Sequence, residues 1–285
     1  MRCLQTGTLL LCFISFWLSA NDKIQLVSNE DLSPEITAKF TNWSANTLNA
    51  VELTLGPLPQ PHLPIRLKTK FFASEPVPWG QVERDKYEVG DGLYLVVYRH
   101  ARARQLRQDW TLYHEISHIY LPYLDYQSFW LSEGFATYMQ NVIMLQNGIY
   151  SVPEFIDKLT AGLKRGKNNT LMASGPLNQV TNKMRKNRAF MRVYWSGAAF
   201  FIEADIKLQK QGKDLPGVIR RFSACCKSKI DTGRELVNQL DKINKKLLFA
   251  PQFNKYQKRH DFPKIKAQLL YQLAEHYKPI NRFSP

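Results

Sequence analysis

The chain has 285 residues, 44% of them hydrophobic, and a formal net charge of +15 at neutral pH. That length can bury one large core or two adjoining ones. Four cysteines, two of them the adjacent Cys225 and Cys226, exclude a disulfide framework, and no apolar run beyond the N-terminus is long enough to span a bilayer. Residues 1–20 read as an export signal: Arg2, an apolar run over 9–18, then Ser19 and Ala20, with the cut expected near Ala20. The mature chain is therefore expected to be exported, periplasmic or secreted. A basic surface there would meet anionic envelope polymers, lipid head groups or acidic peptides, and nucleic acid is not expected as a partner.

In chain order, residues 33–49 open with Ser-Pro-Glu and carry Ile36, Phe40, Trp43 and Leu48 at near-helical spacing, which predicts a helix. Four prolines between 57 and 64 end it. Residues 65–72 alternate as a strand, and 92–99 form a second strand rich in β-branched and aromatic residues. Residues 104–121 have helical periodicity. From there the pattern is almost wholly helical, over 128–147, 152–165, 192–211, 215–224, 232–246 and 263–277. Beyond the signal, a sheet-bearing part over 21–150 precedes a helical part over 151–285, so the fold class is α+β with a small mixed or antiparallel sheet.

The chemistry concentrates in "HEISH", residues 114–118. On a helix, His114 and His118 lie one turn apart on one face and can direct two imidazole nitrogens at a single point. Glu115 then stands beside such an ion rather than on it, placed to take a proton from water. This is the H-E-x-x-H arrangement of zinc peptidases. A catalytic zinc needs three protein ligands and one open position, and Glu133, on a second helix reached through Pro122 and a short connection, is the obvious third. One Zn2+ per chain is expected. Trp130, Leu131, Phe135, Ala136 and Met139 offer the packing face between the two helices, with Gly134 letting backbones approach.

"HEISH" followed by "WLSEGFATYMQ" resembles the gluzincin metallopeptidases of the aminopeptidase N type, whose second motif reads close to W-L-N-E-G-F-A. The resemblance implies a thermolysin-like catalytic domain with a mainly helical C-terminal region, and a zinc-dependent metallopeptidase with Glu115 as general base. Fourteen residues separate His118 from Glu133, where the family has about eighteen, so about one helical turn is missing. The family also has a Tyr-x-x-Gly tyrosine that stabilises the oxyanion, and Tyr194 with Gly197 matches it in order and distance. The family's Gly-x-Met-Glu-Asn motif, which grips the substrate amino terminus, is absent from "YEVGDGLYLVVYR" (87–99). Glu88 or Asp91 is the expected substitute. Leu93 and Tyr94 are expected to bind substrate through a free edge of the 93–98 strand.

Between Glu133 and Tyr194 lies a basic run: Lys158, Lys164, Arg165, Lys167, Lys183, Arg185, Lys186, Arg188 and Arg192. It predicts either acidic peptide substrates or attachment to an anionic envelope surface. The alternative function is a catalytically silent binding protein of the same fold at the cell envelope. Retention of Glu115 argues against it, because a structural metal needs no general base.

Overall fold

The computed structural model describes residues 20–28 and 30–279, so the expected signal over 1–20 lies outside the described residues except for Ala20. A short helix α1 (Ala20–Lys23) leads into strand β1 (Ile24–Val27). Helix α2 (Pro34–Leu55) starts where the Ser33 hydroxyl accepts from the Ile36 N–H and Pro34 supplies a pre-set first turn. Its buried stripe, Phe40, Trp43, Leu48, Val51 and Leu55, packs into the core, and the Trp43 indole donates to the Leu106 carbonyl at 3.0 Å.

Three more strands follow: β2 (Leu63–Lys70), β3 (Trp79–Tyr87) and β4 (Gly90–Tyr98). The sheet order is β1-β2-β4-β3, parallel except for the β3–β4 hairpin. The sheet is therefore mixed, as expected, but two of its strands were not. β1 is four residues long, and β3 reads as "WGQVERDKY", polar and charged. Both lie at the edges, where one side of the ladder faces out and charge is tolerated.

Helices α3 (Ala103–Gln108) and α4 (Thr111–His118) replace the single helix expected over 104–121. The chain breaks between them at Asp109, whose carboxylate accepts from the Thr111 N–H at 2.8 Å. The helical part then comprises α5 (Phe129–Gln146), α6 (Val152–Met172), α7 (Leu177–Asn182), α8 (Phe190–Gln209), α9 (Leu215–Cys225), α10 (Gly233–Asn244), α11 (Phe249–Gln257) and α12 (Ala267–Tyr277). Every residue of α5 from Trp130 to Leu145 is buried. It is the axis around which the others pack, and its only charged side chain is Glu133.

The tightest packing in this array is backbone on backbone. A Cβ added to Gly134 of α5 would stand 2.2 Å from the Gly197 Cα of α8, and one added to Gly197 would stand 2.0 Å from the Trp130 carbonyl oxygen. Gly134 thus serves an approach to α8, not to α4 as its sequence position suggested. Arg192, counted in the basic run, is buried: its guanidinium donates to the carbonyls of Ala173, Gly175, Arg259 and His260, fastening the end of α6 and the segment before α12 to α8. Asp205 of α8 accepts from the Tyr138 hydroxyl of α5 and the Tyr277 hydroxyl of α12, both at 2.6 Å, and from the Leu215 N–H that opens α9.

Two outcomes follow. Gly197→Ala should lower stability by about 3 kcal/mol or more, because the added methyl meets backbone that cannot rotate away; a thermal melt within a degree of wild type would contradict this. Burial raises the Asp205 carboxyl to about 6. Its folded-state value lies above the unfolded one, so its contribution is full below about pH 4 and falls as pH rises to about 6. The stability of wild type relative to Asp205→Asn should therefore be greater at pH 5 than at pH 7, as read by denaturant unfolding at both.

Candidate metal centre

Helix α4 presents His114 and His118 towards α5, and Glu133 enters from the first full turn of α5. The His114 Nε2 lies 3.3 Å from Glu133 Oε2 and 3.2 Å from His118 Nε2, while His118 Nε2 lies 3.7 Å from Glu133 Oε1. One ligand atom from each of the three falls within 4.8 Å of the others, and all three residues are buried. The shortened connection after α4 has left Glu133 on the facing side. That connection is anchored from afar: the Asp125 N–H donates to the Asp231 carbonyl at 2.7 Å, and the Asp125 carboxylate accepts from the Gly233 N–H at the start of α10.

Each imidazole has a partner on its other nitrogen. His114 Nδ1 is 2.8 Å from Gln140 Oε1, and His118 Nδ1 is 3.1 Å from Ser132 Oγ. The Gln140 oxygen can only accept, so Nδ1 of His114 carries a proton and Nε2 is the atom turned towards Glu133. Burial pushes His118 down to about 3, which keeps it neutral. Burial also opposes charge on Glu133, but His118, His114 and the Tyr194 hydroxyl outweigh it and hold the carboxyl below its ordinary value. Two inward nitrogens and a buried carboxylate, with donor atoms all within 4.8 Å of one another, form a set that a cation between them would satisfy. The nitrogen and oxygen donor set suits zinc.

Glu115 is buried beside this centre, and burial raises its carboxyl to about 7. Its position is set by β3: a Cβ on Gly80 would meet Glu115 Cγ at 2.8 Å and Thr111 Cγ2 at 2.7 Å, so the edge strand runs hard against α4 there. Tyr194, in the first turns of α8, stacks on His114 with ring centroids 6.3 Å apart. Burial keeps its hydroxyl protonated far above the ordinary phenol range, with Glu133 and Glu115 acting in the same direction. Arg185 acts on Tyr194 electrostatically in the opposite sense, which brings the basic loop before α8 to the edge of the site. The Trp110 ring meets His114 edge-on, with centroids 5.6 Å apart.

The expected substrate residues lie elsewhere. Glu88 is exposed in the β3–β4 turn. Asp91 is paired with Arg84 at 2.7 Å and Lys227 at 3.1 Å; burial works against its charge, but these two cations outweigh it and hold it below the usual carboxylate range. Leu93 is in the core, and Tyr94 lies under the Arg66 guanidinium on the other face of the sheet. β4 pairs with β2 on one side and β3 on the other, so it has no free edge. The edge beside the centre is β3. Its Gly80 and Glu83 stand at the spacing of the Gly and Glu in the motif sought over 87–99, with Val82 and Arg84 at its Met and Asn positions. Glu83 faces away from α4, however, and is held by Arg66, Lys86 and Tyr87.

Sequence reasoning missed Gln140, Ser132 and Arg84. Gln140 lies two turns along from Glu133 on the same face of α5, and that spacing was the available signal. Arg84 donates to the His118 and Leu121 carbonyls at the exposed end of the α4 ladder, at 3.0 and 3.2 Å. Beside Arg84 and Asp91 opens a cavity of about 580 Å³ whose wall includes Cys225 and Cys226. Those two neighbouring cysteines are joined in a disulfide.

The family model of the M61 glycyl aminopeptidases matches residues 114–211, from the first of the two histidines through α8. A comparison with curated proteins finds no match. Among solved structures, the chain is similar to an M1 zinc metallopeptidase from Deinococcus radiodurans (TM-score 0.53, 14% identity, 85% of this chain and 49% of that one). It is also similar to yeast LTA4 hydrolase in complex with bestatin (TM-score 0.60, 12% identity, 86% and 39%). A third is an aminopeptidase N family protein from Idiomarina loihiensis (TM-score 0.53, 14% identity, 87% and 46%). The chain spans half or less of the length of these structures, and at such identities the likeness is one of fold.

Purified protein should take up one zinc ion per chain by metal analysis. Gln140→Leu, which frees the His114 imidazole to turn, should weaken zinc binding about 10- to 100-fold in a competitive chelator titration. Full retention of affinity would remove Gln140 from the centre.

Proposed function

We propose that this chain is a zinc-dependent metallopeptidase that hydrolyses peptide bonds. The observation that carries the reading is the position of Glu115: a buried carboxylate tuned near 7, beside three converging metal donors but not one of them. A silent binding protein would gain nothing from a buried carboxylate at that place. The match to the glycyl aminopeptidase model over the same residues supports the reaction class.

His114, His118 and Glu133 would hold the ion, which when bound supplies Lewis acidity towards a carbonyl oxygen and lowers the proton affinity of water. The chain's own residues do the rest. Glu115 accepts the proton as water attacks the scissile carbonyl and returns it to the leaving amine. Tyr194, kept protonated, donates to the carbonyl oxygen as negative charge grows there. Gln140 and Ser132 hold the two imidazole rings in register. The outer edge of β3 offers backbone groups for an extended peptide, and Gly80, lacking a side chain, leaves it close to Glu115.

The substrate is read as a peptide or protein, with acidic side chains favoured on the side of Arg185. We also propose export to the periplasm or outside the cell, with residues 1–20 removed; the disulfide between Cys225 and Cys226 suits an oxidising compartment. N-terminal sequencing of the mature protein should then begin at Asn21, and a retained Met1 would refute the cleavage.

Cleavage of a mixed peptide library should occur and stop on chelation. Glu115→Gln should keep its metal and lose at least about a hundredfold in kcat, and an unchanged rate would sink the assignment. Tyr194→Phe should lower kcat about 10²- to 10³-fold with little effect on KM. Arg185→Glu should lower kcat/KM for acidic peptides while sparing basic ones, with the difference shrinking as salt rises; equal loss on both would assign Arg185 no part in selectivity.

A further inference from the structure

Between Asp157 and Glu203 the chain has no acidic residue, and of the nine basic residues in that interval all but Arg192 are exposed. Within this field lie four exposed apolar side chains. Leu171 and Met172, 83% and 85% exposed, end α6, and Phe190 and Met191 open α8. The Asn169 side chain donates to the Arg188 carbonyl and accepts from the Arg192 N–H, so the end of α6 and the start of α8 meet at one corner of the molecule. Lys164 and Lys167 share the helix face of Leu171, seven and four residues before it. Next to this corner, Phe262 packs on Gly166, and the acid in that neighbouring segment, Asp261, is paired with Arg259.

We propose that this corner docks the protein on an anionic lipid bilayer, with Leu171 and Met172 entering the headgroup and acyl boundary and Lys164, Lys167, Lys186 and Arg188 meeting the lipid phosphates. Apolar tips that project from a helix end fit a fluid surface that closes around them, whereas a protein partner would have to offer a preformed hollow. The uniform positive charge selects an anionic surface over a zwitterionic one. Tyr194 follows Phe190 by one helical turn, so docking here would set the mouth of the candidate centre close to the bilayer. The inference rests on surface chemistry alone and stands whether or not the protein hydrolyses peptides.

Co-sedimentation with vesicles tests it. Binding to phosphatidylcholine vesicles carrying a third of phosphatidylglycerol should be at least about tenfold stronger than to phosphatidylcholine alone, and should weaken between about 0.1 and 0.5 M salt. The double variant Leu171→Ser, Met172→Ser should lose at least about tenfold of that binding while its melting temperature and its metal content stay at wild-type values. Lys186→Glu with Arg188→Glu should lose binding as well. Equal partitioning into both vesicle types, or undiminished binding by both double variants, would overturn the proposal. So would a soluble dimer that dissociates when Leu171 and Met172 are replaced, which would make the corner a contact between copies.

Discussion

The contact between Gly134 and Gly197 is the constraint on which the rest of the site depends. Two helices that meet through side chains stand about 8 to 10 Å apart, but here α5 and α8 touch through their backbones. The residue before Gly134 is Glu133, and the residue one turn before Gly197 is Tyr194. The closeness of the helices therefore becomes closeness of a carboxylate and a phenol, and both arrive at the face that α4 offers with His114 and His118. The same crossing explains why a tyrosine and a glycine three residues apart matter together: one residue supplies the hydroxyl and the other the approach.

Around that crossing, the fold places charge where it has a partner and removes water elsewhere. Glu133, the one charged residue of α5, faces both imidazoles and the Tyr194 hydroxyl, and these hold its carboxyl below the ordinary value although burial opposes its charge. Glu115, buried beside the same centre, is raised, chiefly by that burial. Two glutamates in one dry pocket thus end with different proton affinities because one faces imidazoles and a phenol while the other faces Thr111 and the bare backbone of β3. Arg84 adds a long-range hold: it joins the edge strand to the last carbonyls of the metal-bearing helix, and Asp91 and Lys227 keep it there.

The two histidines and Glu133 were legible because helical spacing is a local property: residues four apart share a face whatever the tertiary structure does. The α+β order was legible for a similar reason, since period-two and period-3.6 stretches follow one another along the chain. The edge strand β3 was not, because an exposed edge tolerates Glu83, Arg84, Asp85 and Lys86 in sequence and carries no apolar alternation. Gly166 looked like a helix end, yet α6 runs through it, because Phe262 and Trp195 occupy the room a side chain would take. Helix α11 was not expected either, since a proline argues against a helix, yet Pro251 stands in its first turn, where a missing N–H costs nothing. The role of Asp91 turned on Lys227, a partner 136 residues away, and no local pattern reports that.

The tether from Asp125 to Asp231 and Gly233 has a further meaning for how the molecule comes into being. The turn that swings Glu133 round to the histidines is fixed by a segment about a hundred residues downstream, so an emerging polypeptide holds all its metal-seeking side chains well before it holds the clasp that aligns them. Alignment of the three donors is thereby a property of the whole fold and not of the two helices that carry them.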